Sequence, residues 1–182
     1  MSTAALPPVQ IDRTNEQVTG TVDRAAMLRA ANINPRTGLA TDYLNHFNEA
    51  VMLLEMIPDM PECAEDFLAW KPLSYAEHFT ATNFKARDLV IEAYETADPS
   101  IRERFDHITK TMTDILLAVG TAMRDAKQDA TRARLATQAT GWVKPLIAEA
   151  GGLINGDLEP DPVPDEGEID EVDAVDAIMA SF

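Results

Sequence analysis

The chain has 182 residues, 15 of them basic and 31 acidic, for a net charge of −16. An acidic excess of that size argues against nucleic acid, where Lys and Arg must neutralise phosphates, and against an anionic membrane surface. The single cysteine, Cys63, excludes an intramolecular disulfide framework and any metal site built from several thiolates.

Residues 1–10 carry neither a positive n-region nor an apolar run, so they do not read as a signal peptide. The longest apolar stretch, residues 115–123, is about half of the roughly 20 residues that cross a bilayer. Both observations make a cytoplasmic protein the expectation. Residues 1–38 read as an N-terminal arm. Pro7, Pro8 and Gly20 interrupt any period, a short helix fits residues 21–31, and Asn34-Pro35 with Gly38 marks a turn.

A helical bundle is expected over residues 39–155. Tyr43, Phe47, Ala50, Leu54 and Ile57 alternate spacings of four and three until Pro58 stops the run. A short helix follows over residues 61–70, with Pro61 at its first position. Ser74-Tyr75-Ala76-Glu77 is a capping box, in which hydroxyl and carboxylate satisfy orphan backbone donors reciprocally. The helix it opens is expected to run to about Ala97. Asp98-Pro99 then caps and starts the longest element. There Ile101, Phe105, Ile108, Met112, Ile115, Val119, Ala122 and Ala126 keep a strict 4-3-4-3 spacing, the seam of a left-handed coiled coil or four-helix bundle. This helix is expected to extend toward Ala139, with a break at Gly141 and a last short piece over residues 142–150. No segment shows a two-residue period, so the fold class is all-α.

The acid is concentrated at one end. Residues 157–182 hold ten carboxylates and no Lys or Arg, which leaves 21 acids against 15 bases, a net of −6, for residues 1–156. Residues 156–167 contain Pro160, Pro162 and Pro164 among acids and read as a disordered, extended linker. Residues 168–182 read as a short amphipathic helix. Val172, Val175, Ile178, Met179 and Phe182 fall within about 120° of arc at 100° per residue, and Asp170, Asp173 and Asp176 lie off that stripe. About fifteen residues are marginal for an isolated helix in water, so this segment is expected to be helical when docked.

Several side chains invite chemistry. His46, with Glu49 three residues on, and His78 and His107, each preceded by an acid, lie on three different predicted helices. Carboxylate–histidine sites in bundles are built from facing helices in this way. Each histidine, however, stands one residue before a core position (Phe47, Phe79, Ile108), which predicts a flanking or exposed place. No Asp or Glu stands three residues before any of them. Cys63 reads as a small buried apolar residue. Trp70 and Trp142 read as packing at element ends. Arg124, Lys127, Arg132 and Arg134 form a locally basic stretch in which Asp125 and Asp129 interleave, a solvated face or a resting place for the acidic tail. Neither a Gly-x-Gly-x-x-Gly nor a Gly-x-x-x-x-Gly-Lys-Ser/Thr pattern occurs.

The closing run from Glu168 through Ile-Asp-Glu-Val-Asp-Ala-Val-Asp-Ala-Ile-Met-Ala-Ser to Phe182 resembles the response-regulator-binding segments of two families. These are the CheZ family of chemotaxis phosphatases and the FliM family of flagellar switch proteins. The first also has a four-helix bundle and a flexible linker. The resemblance covers about fifteen residues and implies docking. It does not extend to hydrolysis, for which the phosphatase family uses Asp-x-x-x-Gln. The residues four before Gln10, Gln17, Gln128 and Gln138 are Leu6, Arg13, Arg124 and Arg134. The nearest match to the Glu-x-x-Asn of another phosphatase family is Asp42-Tyr43-Leu44-Asn45, one methylene shorter and read as a surface pair.

These readings converge on a cytoplasmic, bacterial-type interaction protein without cofactor. It docks a protein partner, a two-component response regulator in the first instance, through Val172, Val175, Ile178, Met179 and Phe182, and the body is open to homodimerisation through its long seam. The alternatives are a metal-binding or redox bundle using His46, Glu49, His78 and His107, and a self-assembling scaffold.

Overall fold

The computed structural model describes residues 23–157. The first 22 residues, the linker over 158–167 and the docking segment with its anchors Val172, Val175, Ile178, Met179 and Phe182 lie outside the described residues. The described chain is an all-α bundle. Helix α1 covers residues 23–30. A 3-10 turn at Thr41–Tyr43 leads into α2 (Leu44–Met56), followed by α3 (Cys63–Ala69), α4 (Tyr75–Ala81), α5 (Arg87–Glu95), α6 (Pro99–Asp125) and α7 (Asp129–Asn155).

α6 and α7 form the long antiparallel pair, α2 packs on the other flank of α7, and α3 touches both α2 and α6. The core is continuous across these elements and reaches back through the N-terminal loop, since Leu28, Ile33, Leu39 and Ala40 are buried with Phe47, Phe79 and Phe105. Full burial of one such phenylalanine contributes about 1.5–3 kcal/mol by transfer from water. The loop is shaped by an isolated antiparallel bridge between Ile33 and Ala40. At its tip Gly38 has a φ of +71°, and a Cβ there would lie 2.6 Å from the carbonyl oxygen of Ala93. Only glycine lets this loop lie against α5.

Two caps form as their sequences require. Ser74 accepts the Glu77 amide and Glu77 Oε2 accepts the Ser74 amide at 2.8 Å. Asp98 Oδ1 accepts the Ser100 amide at 2.9 Å, with Pro99 opening α6. Three boundaries differ from the pattern-based expectation. The helix expected from Ser74 to Ala97 is two helices. Asn83 takes a left-handed conformation (φ 53°), which asparagine tolerates, and turns the chain so that Phe84 meets Phe79 edge-on at 5.0 Å. The long helix ends at Asp125, because Ala126 turns extended (φ −74°, ψ 119°) to fold α7 back along α6. Arg132 Nε donates to the carbonyl of Met123 across that corner at 3.3 Å.

Gly141 does not break α7. The helix runs through both Gly141 and Pro145. A proline ring crowds the carbonyl four residues earlier, which here belongs to Gly141. Ala139, Val143 and Ala150 are fully buried along this stretch, and that tertiary packing favours an unbroken helix. Trp142 is therefore in mid-helix and 55% exposed, not packed at an element end.

The buried stripe of α6 also departs from a strict heptad. Phe105, Ile108, Met112, Leu116, Val119 and Met123 are buried, while Ile115 and Ala122 are half-buried at its edge. The spacings 3, 4, 4, 3 and 4 average 3.6, the period of a straight α-helix, so the stripe drifts off the 3.5-residue line. This seam is covered within the chain, and any homodimer needs another surface.

Candidate functional site

Two histidines lie where the pattern does not put them. His46 and His78 are each only 7% exposed, inside an aromatic cluster at the junction of the 3-10 turn, α2 and α4. The flanking or exposed places expected for them are overturned, because the 3-10 turn and α4 close over the side of α2 that a core stripe counted on one helix leaves open. His107 on α6 and Glu49 on α2 are exposed.

The cluster is tightly specified. The His46 ring stacks on Trp70 at 4.7 Å and 26°, and its centroid is 6.0 Å from that of His78. Nε2 of His46 accepts the Leu73 amide at 3.1 Å, so the proton of this neutral ring is on Nδ1. Trp70 Nε1 donates to the His46 carbonyl at 3.2 Å, and Tyr43 donates its hydroxyl to the Leu73 carbonyl at 2.7 Å. Tyr75 stacks on Tyr94 at 4.5 Å and accepts the Ala40 amide at 2.9 Å. The loop between α3 and α4 is thus clamped by side chains from α2 and the 3-10 turn.

Burial holds both imidazoles below their ordinary pKa. For His46 the neighbouring His78 adds to the effect and the Lys71 carbonyl opposes it; for His78 the Asp42 carbonyl and carboxylate oppose it. Burial also pushes the Tyr43, Tyr75 and Tyr94 hydroxyls upward. A desolvated neutral pair engaged in packing is a structural arrangement. Among the described residues no group of three or more His, Cys, Asp and Glu is placed to hold a metal ion. The set His46, Glu49, His78 and His107 is not assembled: the first and third meet, while Glu49 lines a separate shallow cleft with Asp66 and Trp70. Cys63 is buried. Asp42 accepts Asn32 Nδ2 at 2.8 Å, and Asn45 is exposed.

The other end of the bundle shows how the acidic segment leaves the body. α7 stops in a complete Schellman turn. Gly156 takes φ +74°, its amide donates to the Leu153 carbonyl at 3.1 Å, and the Asp157 amide donates to the Gly152 carbonyl at 2.9 Å. Thr37 Oγ1 donates to the Ile154 carbonyl at 2.8 Å. A cleft of about 420 Å³ opens beside this turn, lined by Arg29, Asn32, Asn34, Arg36, Thr41 and Asn155 among others. The Arg36 guanidinium lies against Gly156, 3.4 Å from where a Cβ would sit.

Pattern reading missed these arginines, although a signal was there. Residues 24–41 hold Arg24, Arg29 and Arg36 and no acid, in a chain with 31 acids. Two of the four residues in the other basic stretch are engaged. Arg124 Nη2 donates to the Leu68 carbonyl at 3.4 Å, and Arg132 pairs with Asp129 at 4.0 Å.

No helix among the described residues is long and apolar enough to cross a membrane. Neither family models, nor curated proteins, nor solved structures contain a match to this chain.

Proposed function

We propose that this chain is a cytoplasmic, bacterial-type interaction protein that works by binding and not by catalysis. Its helical body carries a tethered docking segment, residues 168–182, that lays Val172, Val175, Ile178, Met179 and Phe182 into a groove on a protein partner. The observation that supports this reading is the handover at Gly156–Asp157. A fully capped helix passes the chain, at one fixed point, to a segment with ten carboxylates and no base. Tethering at a fixed point raises the effective concentration of a weak binding peptide near the body. A two-component response regulator is the partner that the terminal segment's resemblance favours; nucleic acid and anionic membranes are disfavoured by the charge.

Calorimetric titration with a receiver domain, phosphorylated and unphosphorylated, tests the proposal against the full chain and a chain lacking residues 168–182. Binding by the full chain alone is expected. The deletion is expected to leave the melting temperature within about 3 °C, which corresponds to less than 1 kcal/mol for a domain of this size. Equal binding by both chains removes the docking role of the segment, and binding by neither removes the response regulator.

Self-association is the second reading, supported by Met52, Leu117 and Trp142, each about half exposed on the bundle surface. Concentration-dependent sedimentation of the full chain distinguishes it.

A further inference from the structure

The cleft beside the end of α7 has the chemistry of an anion receptor. Arg29 and Arg36 both line it, both are exposed, and neither makes an ion pair with a described residue. Among the described residues no carboxylate lines the cleft; the nearest one named, Asp42, is held by Asn32 Nδ2 at 2.8 Å. Part of the role of Arg36 is local, because a guanidinium beside the last carbonyls of α7 suits the negative pole of the helix. Three of those carbonyls already have donors, however: Gly152 and Leu153 in the Schellman turn, Ile154 from Thr37. Both guanidiniums therefore keep donors to offer.

We propose that this cleft is the intramolecular receptor for the acidic linker, with Arg29 and Arg36 holding carboxylates of residues 158–167. Three observations point to that occupant. α7 ends at Asn155, and Gly156 directly after it lies against the Arg36 guanidinium. The next carboxylates are Glu159, Asp161, Asp165 and Glu166, with no base among them. At about 3.3 Å per extended residue, Glu159 reaches some 7 Å from Asp157 and Asp161 some 13 Å, the scale of the cleft itself. The basic stretch at Arg124–Arg134 is the poorer receptor. It sits at the far end of α7, whose 27 residues span about 40 Å.

The contact restrains the root of the tether and so sets where the docking segment begins its search for a partner. It stands whether or not that segment binds a response regulator, and its test contains no partner. Exposed Arg–carboxylate pairs are screened by salt, with a Debye length near 10 Å at 0.1 M and 3 Å at 1 M. The contact therefore forms at low ionic strength and is released at high.

The experiment is solution NMR of the labelled full chain at 0.1 M and 1 M salt. It reads the Nε–Hε signals of the arginines and the backbone amides of residues 158–167. In the variant Glu159→Gln, Asp161→Asn, Asp165→Asn and Glu166→Gln, which leaves the body untouched, the Arg29 and Arg36 signals are expected to move. They are expected to move the same way in the native chain on raising salt. In Arg29→Gln with Arg36→Gln, the linker amides are expected to lose their low-salt shifts. In Arg124→Gln with Arg134→Gln, they are expected to keep them. Arg29 and Arg36 signals that ignore the linker variant overturn the proposal. So does a response only to Asp12→Asn with Glu16→Gln, which makes the N-terminal segment the occupant. So do shifts that grow with protein concentration, which make it a second copy.

Discussion

Gly38→Ala tests whether the N-terminal loop is part of the core. The substitution meets two obstacles. A left-handed conformation costs a residue with a Cβ about 1–2 kcal/mol. The new methyl would also lie 2.6 Å from the Ala93 carbonyl oxygen in α5 and 3.2 Å from the Ala97 Cβ just after it. The loop must lift away, and the nearest interaction at risk is the bond from Thr37 Oγ1 to the Ile154 carbonyl at 2.8 Å, worth about 1 kcal/mol. The expected loss is roughly 2–4 kcal/mol out of the 5–15 kcal/mol usual for a domain. That corresponds to a fall in melting temperature of about 4–16 °C for a chain of this size. Gly120→Ala is the internal comparison. Its Cβ would meet Leu68 and Phe67 at 3.8 and 3.9 Å, ordinary contact, in mid-helix α6. It is expected to be neutral or to gain up to about 1 kcal/mol from helix propensity. Urea unfolding followed by circular dichroism, with thermal melts alongside, measures both. A Gly38→Ala protein within 0.5 kcal/mol of native would refute the close approach of loop and α5.

The buried histidine pair predicts acid sensitivity. Both folded pKa values lie below the ordinary value near 6.5, so the unfolded chain binds more protons in that range. Their contribution to stability is full above pH 6.5 and is lost as pH falls through 6.5 toward the folded values. The urea midpoint should therefore decline from pH 7.5 to 5.5, and His46 and His78 ring signals that titrate at or above 6.5 in the folded protein would refute this. Ser74→Ala removes one half of the capping box and is expected to cost about 1 kcal/mol, read from the same urea curves. A change under 0.3 kcal/mol would mean that α4 is held by tertiary contacts alone.

The legible parts of this fold are those where one local rule has no competitor. The capping box at Ser74, the Asp98-Pro99 start of α6 and the stop near Pro58 all form as read. The errors share a cause. Asn83 and Ala126 carry no strong punctuation, and the chain turns there because α5 and α7 must fold back onto their neighbours. Gly141 carries strong punctuation, yet α7 runs through it, with Val143 and Ala150 fully buried against the bundle. The histidines were misplaced for a related reason. Counting a core stripe on a single helix finds the face toward one neighbour, and His46 and His78 point toward a second one.

Composition and periodicity by themselves determined the helical class, the caps, the covered stripe of α6 to within a residue and the separation of a near-ordinary body from an acidic end. Each depends on interactions a few residues apart, where backbone geometry alone sets which side chains meet. Tertiary structure decided what depends on distant segments: that His46 and His78 share one aromatic pocket, that the long seam is spent inside the chain, and that Arg36, 120 residues before Gly156, lies against the root of the acidic segment. Such neighbours are set by how whole helices fill a common core, which no local pattern records.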